Sequence, residues 1–374
     1  MLTEAFVEAV AEAEKIIASA PHVRTEQDLI EGYDYLAGSI RASLQLAWSY
    51  ELDFPYFVQS TGPYTKMGLD NPDTLYFHSY LRDDGEYVVG GRRGTTADLS
   101  FQVLNGDYSP VEVPDSLAAF DDRAFAVGDD GAFEIRFGGR GEFPLAKGSA
   151  MLVVREVYSD WAAEERGSIW IRRAGNEGQA PPRLTRDRVA KRYGVAGKIL
   201  LSRLKTFLAF PEWFYLKLPV NTLTEPRLTP GGLASQYSSV GHYELEPDQA
   251  MVITVPKAED APYQGIQLGS MWYISLDYIN HQTSLTAAQA HVDADGLMRF
   301  VVAERNPGHP NWLETLGHRR GYVQLRWQRL SRALSRQDGP VVEVVPVDEV
   351  GRIEHDYRAR IAQRQAAVAR RMLG

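Results

Sequence analysis

Apolar residues recur every three or four positions in the N-terminal part of the chain. In residues 3–19, Phe6 and Val10 fall on one face of a helix and glutamates occupy the other, so this segment predicts an amphipathic helix. A second helix is predicted over 25–49, because Thr25 is a suitable N-cap and an aspartate follows it three residues later.

Two later segments also have a helical pattern. Residues 185–217 predict a pair of helices with Pro211 as an internal break, and residues 174–184 before them have the composition of a linker. A charged helix is predicted at the C-terminal end, over about 347–373.

Elsewhere the pattern changes to short apolar runs that alternate with polar residues and are separated by turn residues. This pattern predicts β-strands, and Asp-Gly turns at 83–85, 129–131 and 293–296 predict hairpins. The strands predicted before the linker are 74–81, 86–89, 98–104, 124–127, 132–137, 150–158 and 168–173. Those predicted after it are 237–243, 250–255, 263–268, 271–278, 288–292, 297–303 and 321–329.

One stretch of strands resembles another. Residues 86–104 end in Ser-Phe-Gln-Val-Leu, and residues 250–268 end in Gly-Ile-Gln-Leu after a similar strand and turn. Many short strands with turns favour an antiparallel sandwich over a parallel α/β sheet. The sequence therefore predicts a mainly β fold with α decoration, in which two related β-sandwich (jelly-roll-like) modules are flanked by helices. The predicted divisions are a helical segment (1–50), a first β module (51–180), a helical insertion (181–235), a second β module (236–345) and a C-terminal helix (346–374).

Composition narrows the classes of function. The 374 residues carry a net charge of −9, which argues against general nucleic-acid binding because phosphate contacts need a basic surface. The chain has no cysteine, which excludes disulfides, thiolate catalysis and cysteine-bound metals. We recognise neither a signal peptide nor an apolar run of about 18 residues, so no transmembrane segment and a cytoplasmic location are expected.

Sequence motifs for nucleotide binding and for common hydrolases are absent. The chain lacks G-x-S-x-G, G-x-x-x-x-G-K-[ST], a strand–GxGxxG–helix unit and H-E-x-x-H. We therefore expect neither an organic cofactor nor a metal.

Three stretches resemble a bacterial protein family. Residues 71–76 (NPDTLY) resemble the Asn-x-Asp-Thr-Leu-Tyr signature of one bacterial domain of unknown function. Residues 263–285 and 300–315 resemble its usual partner, domain of unknown function 1214, whose Asp-Pro-Gly-x-Pro-Asn-Trp-Leu motif begins here with Asn306. The resemblance implies a fold of two related β-sandwich units and implies no reaction. The replacement of Asp by Asn306 puts a carboxylate role at that position in doubt.

The first polar cluster lies at the start of a predicted strand. Tyr76 and His78 share one face of that strand, because alternate residues of a strand point the same way. Asp73 could orient His78 or accept a proton, and Tyr76 could donate one to a developing oxyanion. The structural alternative is that Asn71 and Asp73 cap a turn while Tyr76 packs.

A second polar cluster begins at Asp277, directly after the apolar part (271–276) of the predicted strand 271–278. That apolar part contains a further candidate for substrate contact, Trp272. His281 could act as a general base near neutral pH, with Asp277 fixing its tautomer. The alternative is a hydrogen-bonded loop that joins one sheet to the other. The neighbouring candidates for substrate contact are Tyr278 and Gln282.

A third polar cluster occupies the Pro-rich loop after the predicted strand 297–303. Arg305 could hold a carboxylate, phosphate or sulfate, and Trp312 could form an apolar wall. The alternative is a structural loop in which Trp312 fills the core. The other candidates for substrate contact here are Asn306, His309 and Asn311.

The basic and aromatic segment 198–218 has three interpretations. It could rest on a membrane surface, form an entrance for a lipophilic substrate, or pack on a sheet as an ordinary amphipathic helix. Self-association of the chain is left open.

Dense His, Asp, Arg and Tyr beside apolar aromatic surface predict a cofactor-independent acid–base enzyme. It would be a lyase, isomerase or hydrolase acting on a hydrophobic small molecule such as a terpenoid, steroid or acyl compound. The alternative is a non-catalytic β-sandwich protein that binds a carbohydrate or a lipid. Because pockets favour domain interfaces, we expect the polar clusters to converge on one cleft.

Overall fold

The computed structural model describes residues 1–108, 113–228, 233 and 236–373. Of the predicted segments, parts of the helical insertion (229–232 and 234–235) and Gly374 lie outside these residues. The long helices of the described part are α1 (Glu4–Ala18), α2 (Glu26–Ser49), α3 (Arg186–Phe214) and α4 (Tyr357–Leu373).

The two N-terminal helices are confirmed to within a residue at each end. Thr25 caps α2 by accepting a hydrogen bond from the backbone N–H of Asp28, whose carboxylate accepts one from the N–H of Thr25 in return. The predicted helical pair over 185–217 is wrong, because α3 is one continuous helix and Pro211 lies only in its last turn.

The predicted start of the C-terminal helix is also wrong. Residues Val341–Pro346 form a strand and Val347–Glu349 a 3-10 turn, so α4 begins only at Tyr357. The strand pairs with a neighbouring strand of the second module, and this long-range pairing is invisible to helical periodicity.

The first module is a sandwich of two antiparallel sheets. One sheet has the order β1–β6–β3–β4 and the other the order β5–β2–β7. Its strands are β1 (Thr74–Tyr80), β2 (Tyr87–Arg92), β3 (Asp98–Leu104), β4 (Ser116–Asp121), β5 (Ala132–Phe137), β6 (Met151–Val157) and β7 (Ser168–Arg173).

The second module has the same architecture with extra strands. Its sheets have the orders β13–β12–β16–β10–β8, with β9 also on β10, and β15–β14–β11–β17. Its strands are β8 (Thr222–Leu223), β9 (Arg227–Leu228), β10 (Tyr237–Glu244), β11 (Gln249–Pro256), β12 (Tyr263–Gly269), β13 (Ser284–Thr286), β14 (Leu297–Ala303), β15 (Trp312–Glu314), β16 (Arg320–Gln328) and β17 (Val341–Pro346).

The two modules repeat one topology. The order β1–β6–β3–β4 corresponds to β10–β16–β12–β13, and β5–β2–β7 corresponds to β14–β11–β17. Each module buries its own apolar core between its two sheets, with Phe101 and Ile135 in the first and Ile253 and Leu325 in the second. The mainly β fold with helical decoration, made of two related modules, is therefore what the sequence predicted.

Three of the predicted strands are wrong. Residues 271–278 form turns, because Trp272 packs among the helices, Leu276 enters the core of the second module, and Tyr273 between them has a left-handed backbone (φ 58°). Residues 288–292 do not form the expected strand, and the nearest strand, β13, lies a few residues earlier at Ser284–Thr286. The segment 124–127 is not a strand either, and β5 pairs with β2 rather than with it.

Helices α1, α2 and α3 pack together and share an apolar cluster with Trp272. The Trp272 indole N–H donates to the backbone oxygen of Asp28 in α2, at 2.7 Å, which ties the helices to the second module. No helix in the described ranges is long and apolar enough to cross a membrane.

Candidate functional site

A cleft lies between the two modules, where the outer faces of their larger sheets meet. It contains about 1000 Å³ of space free of protein atoms, mouth included. Strand alternation explains its lining, because residues between those that enter each sandwich core must point outward. The outward residues that line it are Thr74, Tyr76 and His78 from β1, Met151, Val153 and Arg155 from β6, and Gln324, Arg326 and Gln328 from β16.

One wall of the cleft is apolar and aromatic. Phe207 and Phe210 of α3 pack there against Leu69 and Tyr273, and all four side chains are buried. The aromatic part of segment 198–218 is therefore used inside the molecule, as a helix packed on the modules.

Two arginines occupy equivalent places on the two sheets. Arg155 in β6 donates to the side-chain oxygen of Gln102 in β3, at 2.7 Å, and Arg326 in β16 donates to that of Gln267 in β12. The registers are the same, because Gln102 lies opposite Val153 and Gln267 opposite Gln324, each two residues before the arginine. Arg326 also donates to the backbone oxygen of Leu69 and to Gln324.

Arg203, on α3, differs from these two arginines. It is 4% exposed and lines the cleft, yet its Nε and Nη2 have no hydrogen-bonding partner among the described residues. Burial lowers the pKa of Arg203, while the charges of Tyr35 and Asp107 favour its protonated form. An unpaired buried guanidinium is costly, so this side chain is poised to accept an anionic partner.

His78 and Ser60 form a hydrogen bond inside the cleft, with 2.9 Å between Nδ1 and Oγ. Burial, followed by the charges of Arg155 and Arg203, lowers the pKa of His78 to about 3. His78 is therefore neutral at physiological pH. Burial also raises the pKa of Tyr76, whose hydroxyl accepts a hydrogen bond from the backbone N–H of Asn71.

Asp70 joins the cleft floor to the second module. Its carboxylate accepts hydrogen bonds from the backbone and hydroxyl of Ser275, and its backbone oxygen accepts one from Gln267. Burial raises the pKa of Asp70, and the charge of Lys66 opposes that rise.

The remaining residues of the first predicted cluster lie outside the cleft. Asp73 is buried and accepts hydrogen bonds from Trp161 at 2.8 Å and Tyr263 at 2.7 Å, so it does not contact His78. Asn71 caps the backbone N–H of Asp73 and donates to Tyr263. Because Tyr263 belongs to the second module, the NPDTLY segment fastens the two modules together.

The second cluster lies away from the cleft as well. His281 hydrogen-bonds to Glu314 at 2.9 Å, not to Asp277. Asp277 instead accepts from the backbone of Ile279 and from Asn280. Although burial raises the pKa of Asp277, the hydrogen bonds from Asn280 and Ile279 and the charge of Lys66 together outweigh it and lower the pKa.

Other predicted substrate contacts near this cluster are buried. Gln282 donates to the backbone oxygens of Pro310 and Trp312, which joins two loops. Tyr278 is 4% exposed and lies beside a smaller cavity. Trp272 is 1% exposed in the helical cluster described above.

The third cluster is split between surface and core. Arg305 is exposed and pairs with Asp348 at 3.0 Å, while Asn306 accepts from the backbone of Gly308. Trp312 is buried, and its indole N–H donates to the backbone oxygen of Ala303.

The two remaining residues of that cluster are buried in the loop. Asn311 accepts from the backbone N–H of His291 and donates to its oxygen, both at 2.7 Å. His309 accepts from the backbone N–H of Asn311, and burial lowers its pKa to about 4. The three predicted clusters thus do not meet in the cleft, which contains only Tyr76 and His78 from them.

Sequence reasoning missed the residues that give the cleft its charge. Arg155, Arg203 and Arg326 each stand among apolar residues of a strand or helix. A lone arginine on a largely buried element is unusual and needs a partner, so this signal could have found them. Ser60 lies in a loop and had no comparable signal. Among the described residues, no group of three or more His, Asp or Glu is placed to hold a metal ion.

The chain is similar to solved structures over most of its length. The chain resembles an uncharacterized protein from Burkholderia cenocepacia with a TM-score of 0.82 and 26% sequence identity, over 92% of this chain and 96% of that one. The VPA0106 protein from Vibrio parahaemolyticus matches with a TM-score of 0.46 and 14% identity, over 90% of this chain and 99% of that one. No family model and no curated protein matches the chain.

Proposed function

We propose that the chain binds a small molecule with an apolar body in the cleft between its two modules. The observation that carries this proposal is the lining, in which a wall of Phe207, Phe210 and Tyr273 faces a sheet that presents Tyr76 and His78. Concave sites with mostly apolar walls and a few convergent polar groups are typical of small-molecule binding. A terpenoid, a steroid or an acyl compound has the required character.

A carbohydrate ligand is less well supported. Sugar binding typically uses exposed planar aromatic rings beside amide and carboxylate groups. Trp272 and Trp312, which stand beside the predicted polar clusters, are both buried, so neither ring is available to a sugar.

Binding is tested with N-phenyl-1-naphthylamine, a neutral aromatic probe whose fluorescence rises in apolar sites. Val153 lines the cleft, so Val153→Trp fills it, whereas Val341→Trp places the same side chain on an exposed strand. We expect the wild type and Val341→Trp to bind the probe, and Val153→Trp to bind it at least about tenfold more weakly. Equal binding by both variants, with native circular dichroism, contradicts the proposal.

Acid–base catalysis, as predicted from the sequence, is the second candidate. The Ser60–His78 hydrogen bond favours it, because a histidine that accepts the proton of a serine hydroxyl can activate a nucleophile. Neutral Tyr76 could donate a proton beside it. We place binding first because a base with a pKa of about 3 gives little help to proton transfer at neutral pH.

The catalytic candidate has its own test. Aryl esters with short and long acyl chains are supplied to the wild type, Ser60→Ala and His78→Gln. Loss of ester hydrolysis in both variants, with probe binding retained, supports a hydrolase. Hydrolysis that is absent from the wild type, or unchanged in both variants, removes this pair as the catalytic centre.

A further inference from the structure

The cleft combines its apolar wall with an unusual number of buried cations. Its described lining includes Arg155, Arg203 and Arg326 against two carboxylates, those of Asp70 and Asp107. The hydrogen-bond and charge partners that these five side chains have within the protein decide which arginine is available to a ligand.

Arg326 is engaged within the protein. It donates to Gln267, Gln324 and the backbone oxygen of Leu69, and its charge also acts on Asp70. Asp70 is further bound by Ser275. These groups form a satisfied network on the second module, so they are not the part of the lining that needs a ligand.

The opposite side of the cleft has a different balance. Arg203 leaves two buried nitrogens without hydrogen-bond partners in the part of the chain that the structure describes, and Arg155 lines the same cleft. Burial and then the charges of these two arginines lower the pKa of His78. Asp107 is the carboxylate whose charge acts on Arg203, but the two unpartnered nitrogens of Arg203 form no hydrogen bond to it. Buried guanidinium groups without partners are costly, and an anionic oxygen group can satisfy them through paired hydrogen bonds.

We infer that the ligand of the cleft is an organic anion, with its charged oxygen group on Arg203 and Arg155 and its apolar body on Phe207, Phe210 and Tyr273. This inference rests on the proposed function, since it names the chemical class of the molecule that the same cleft binds. The anionic end lies beside His78 and Ser60, and the neutral state of His78 leaves the two arginines as the cations that face it.

A matched pair of probes tests the inference. 8-Anilinonaphthalene-1-sulfonate has the same aromatic body as N-phenyl-1-naphthylamine and adds one anionic group. We expect the wild type to bind the sulfonate at least about tenfold more tightly than the neutral probe, because only the sulfonate can form charge-assisted hydrogen bonds with the arginines. Competition by 1-naphthoate and by 1-naphthalenemethanol should show the same order and extends the comparison to a carboxylate.

Variants locate the anionic subsite. Arg203→Met should remove the preference for the sulfonate, because it lowers the affinity for the sulfonate to about that for the neutral probe. Arg336→Met removes an exposed arginine that is not part of the described cleft lining and should change neither affinity. Circular dichroism and a cooperative unfolding transition establish that each variant is folded.

The outcomes separate this inference from the proposed function. Equal affinity of the wild type for both probes, with binding still lost in Val153→Trp, overturns the anion inference and leaves the proposed cleft standing. Preference for the sulfonate that persists in folded Arg203→Met, or that is lost in Arg305→Met instead, also overturns it. Failure of both probes to bind the wild type contradicts both proposals. The comparison of probes on the wild type needs no variant to fold.

Discussion

Arg155 and Arg326 occupy equivalent positions in the two modules, and both face the cleft that the modules enclose. Each donates to a glutamine on the neighbouring strand, and that glutamine lies opposite the residue two positions before the arginine. The two-fold repetition therefore extends beyond strand order to the polar groups on the outer sheet faces. Arg203 has no counterpart in this repeated pair, because it comes from α3, and of the three cleft arginines it is the one whose nitrogens lack partners among the described residues.

Arg203 should lower the stability of the folded chain. Replacing an unpaired buried charge by an apolar group of similar length removes a desolvation penalty, so Arg203→Met should raise the free energy of unfolding by about 1 kcal/mol. Arg326→Met is the matched comparison and should lower it by about 3 kcal/mol, because the side-chain oxygen of Gln267 and the backbone oxygen of Leu69 lose the guanidinium that donates to them. Urea unfolding of the two variants measures both changes, and destabilisation of similar size in both contradicts the difference between these arginines.

His78 should make the fold sensitive to acid. Its pKa is about 3 in the folded chain, below the ordinary value of 6.5, so the neutral form is favoured by folding. Above pH 6.5 neither the folded nor the unfolded chain protonates His78, so its contribution to the free energy of unfolding is complete. As the pH falls towards 3, only the unfolded chain takes up the proton, and the free energy of unfolding decreases by about 3 kcal/mol between pH 6.5 and pH 4. Urea unfolding over this range should show a smaller decrease for His78→Gln than for the wild type. Parallel stability curves for the two proteins would exclude a buried neutral His78.

Asp73 should act on stability rather than on ligand binding. Asp73→Ala leaves the indole N–H of Trp161 without its acceptor and leaves the hydroxyl of Tyr263 with only the longer hydrogen bond to Asn71, so the expected loss in the free energy of unfolding is about 2 to 3 kcal/mol. Asp277→Ala, which removes hydrogen bonds from a half-buried loop, should cost only about 1 kcal/mol. Probe affinity of folded Asp73→Ala should equal that of the wild type, and a selective loss of affinity without destabilisation would return Asp73 to the functional site.

Gly32 should be required where α2 meets Trp272. A Cβ added at Gly32 would lie 2.3 Å from the Trp272 ring and 2.8 Å from Ile17, so Gly32→Ala should destabilise the chain by about 1 to 3 kcal/mol. Gly194 of α3 has no atom within 4 Å of an added Cβ. Gly194→Ala should therefore stabilise by about 0.5 to 1 kcal/mol through helix propensity alone. Thermal unfolding distinguishes the two, and equal shifts of the midpoint would contradict the close packing at Gly32.

Local hydrophobic patterns predicted most helices and strands, but they failed where neighbouring residues of one run are buried in different apolar clusters. The run 271–278 is apolar enough for a strand, yet Trp272 belongs to the helical cluster and Leu276 to the second module. Hydrophobicity records that these residues are buried, but the direction in which each is buried depends on partners distant in the chain.

The candidate site was harder to predict than the fold. Dense polar clusters drew attention to His281 and Arg305, but a surface loop gathers polar residues for its own hydrogen bonds, as Asp277 and Asn306 show. Tyr76 and His78 were found because strand alternation places them on one face, and that face happens to be covered.

The sequence by itself determined the helices α1 and α2 and most strands, because periodicity, caps and turn residues act over short distances. It also showed that Gln102 and Gln267 occupy matching positions in the two similar stretches of strands. The tertiary structure alone decided that the outer faces of two sheets meet and that α3 adds Arg203 and an aromatic wall between them. The physical reason is that a polar residue on an outer sheet face looks the same in sequence whether water or a second module covers it, and only long-range packing makes it part of a cleft.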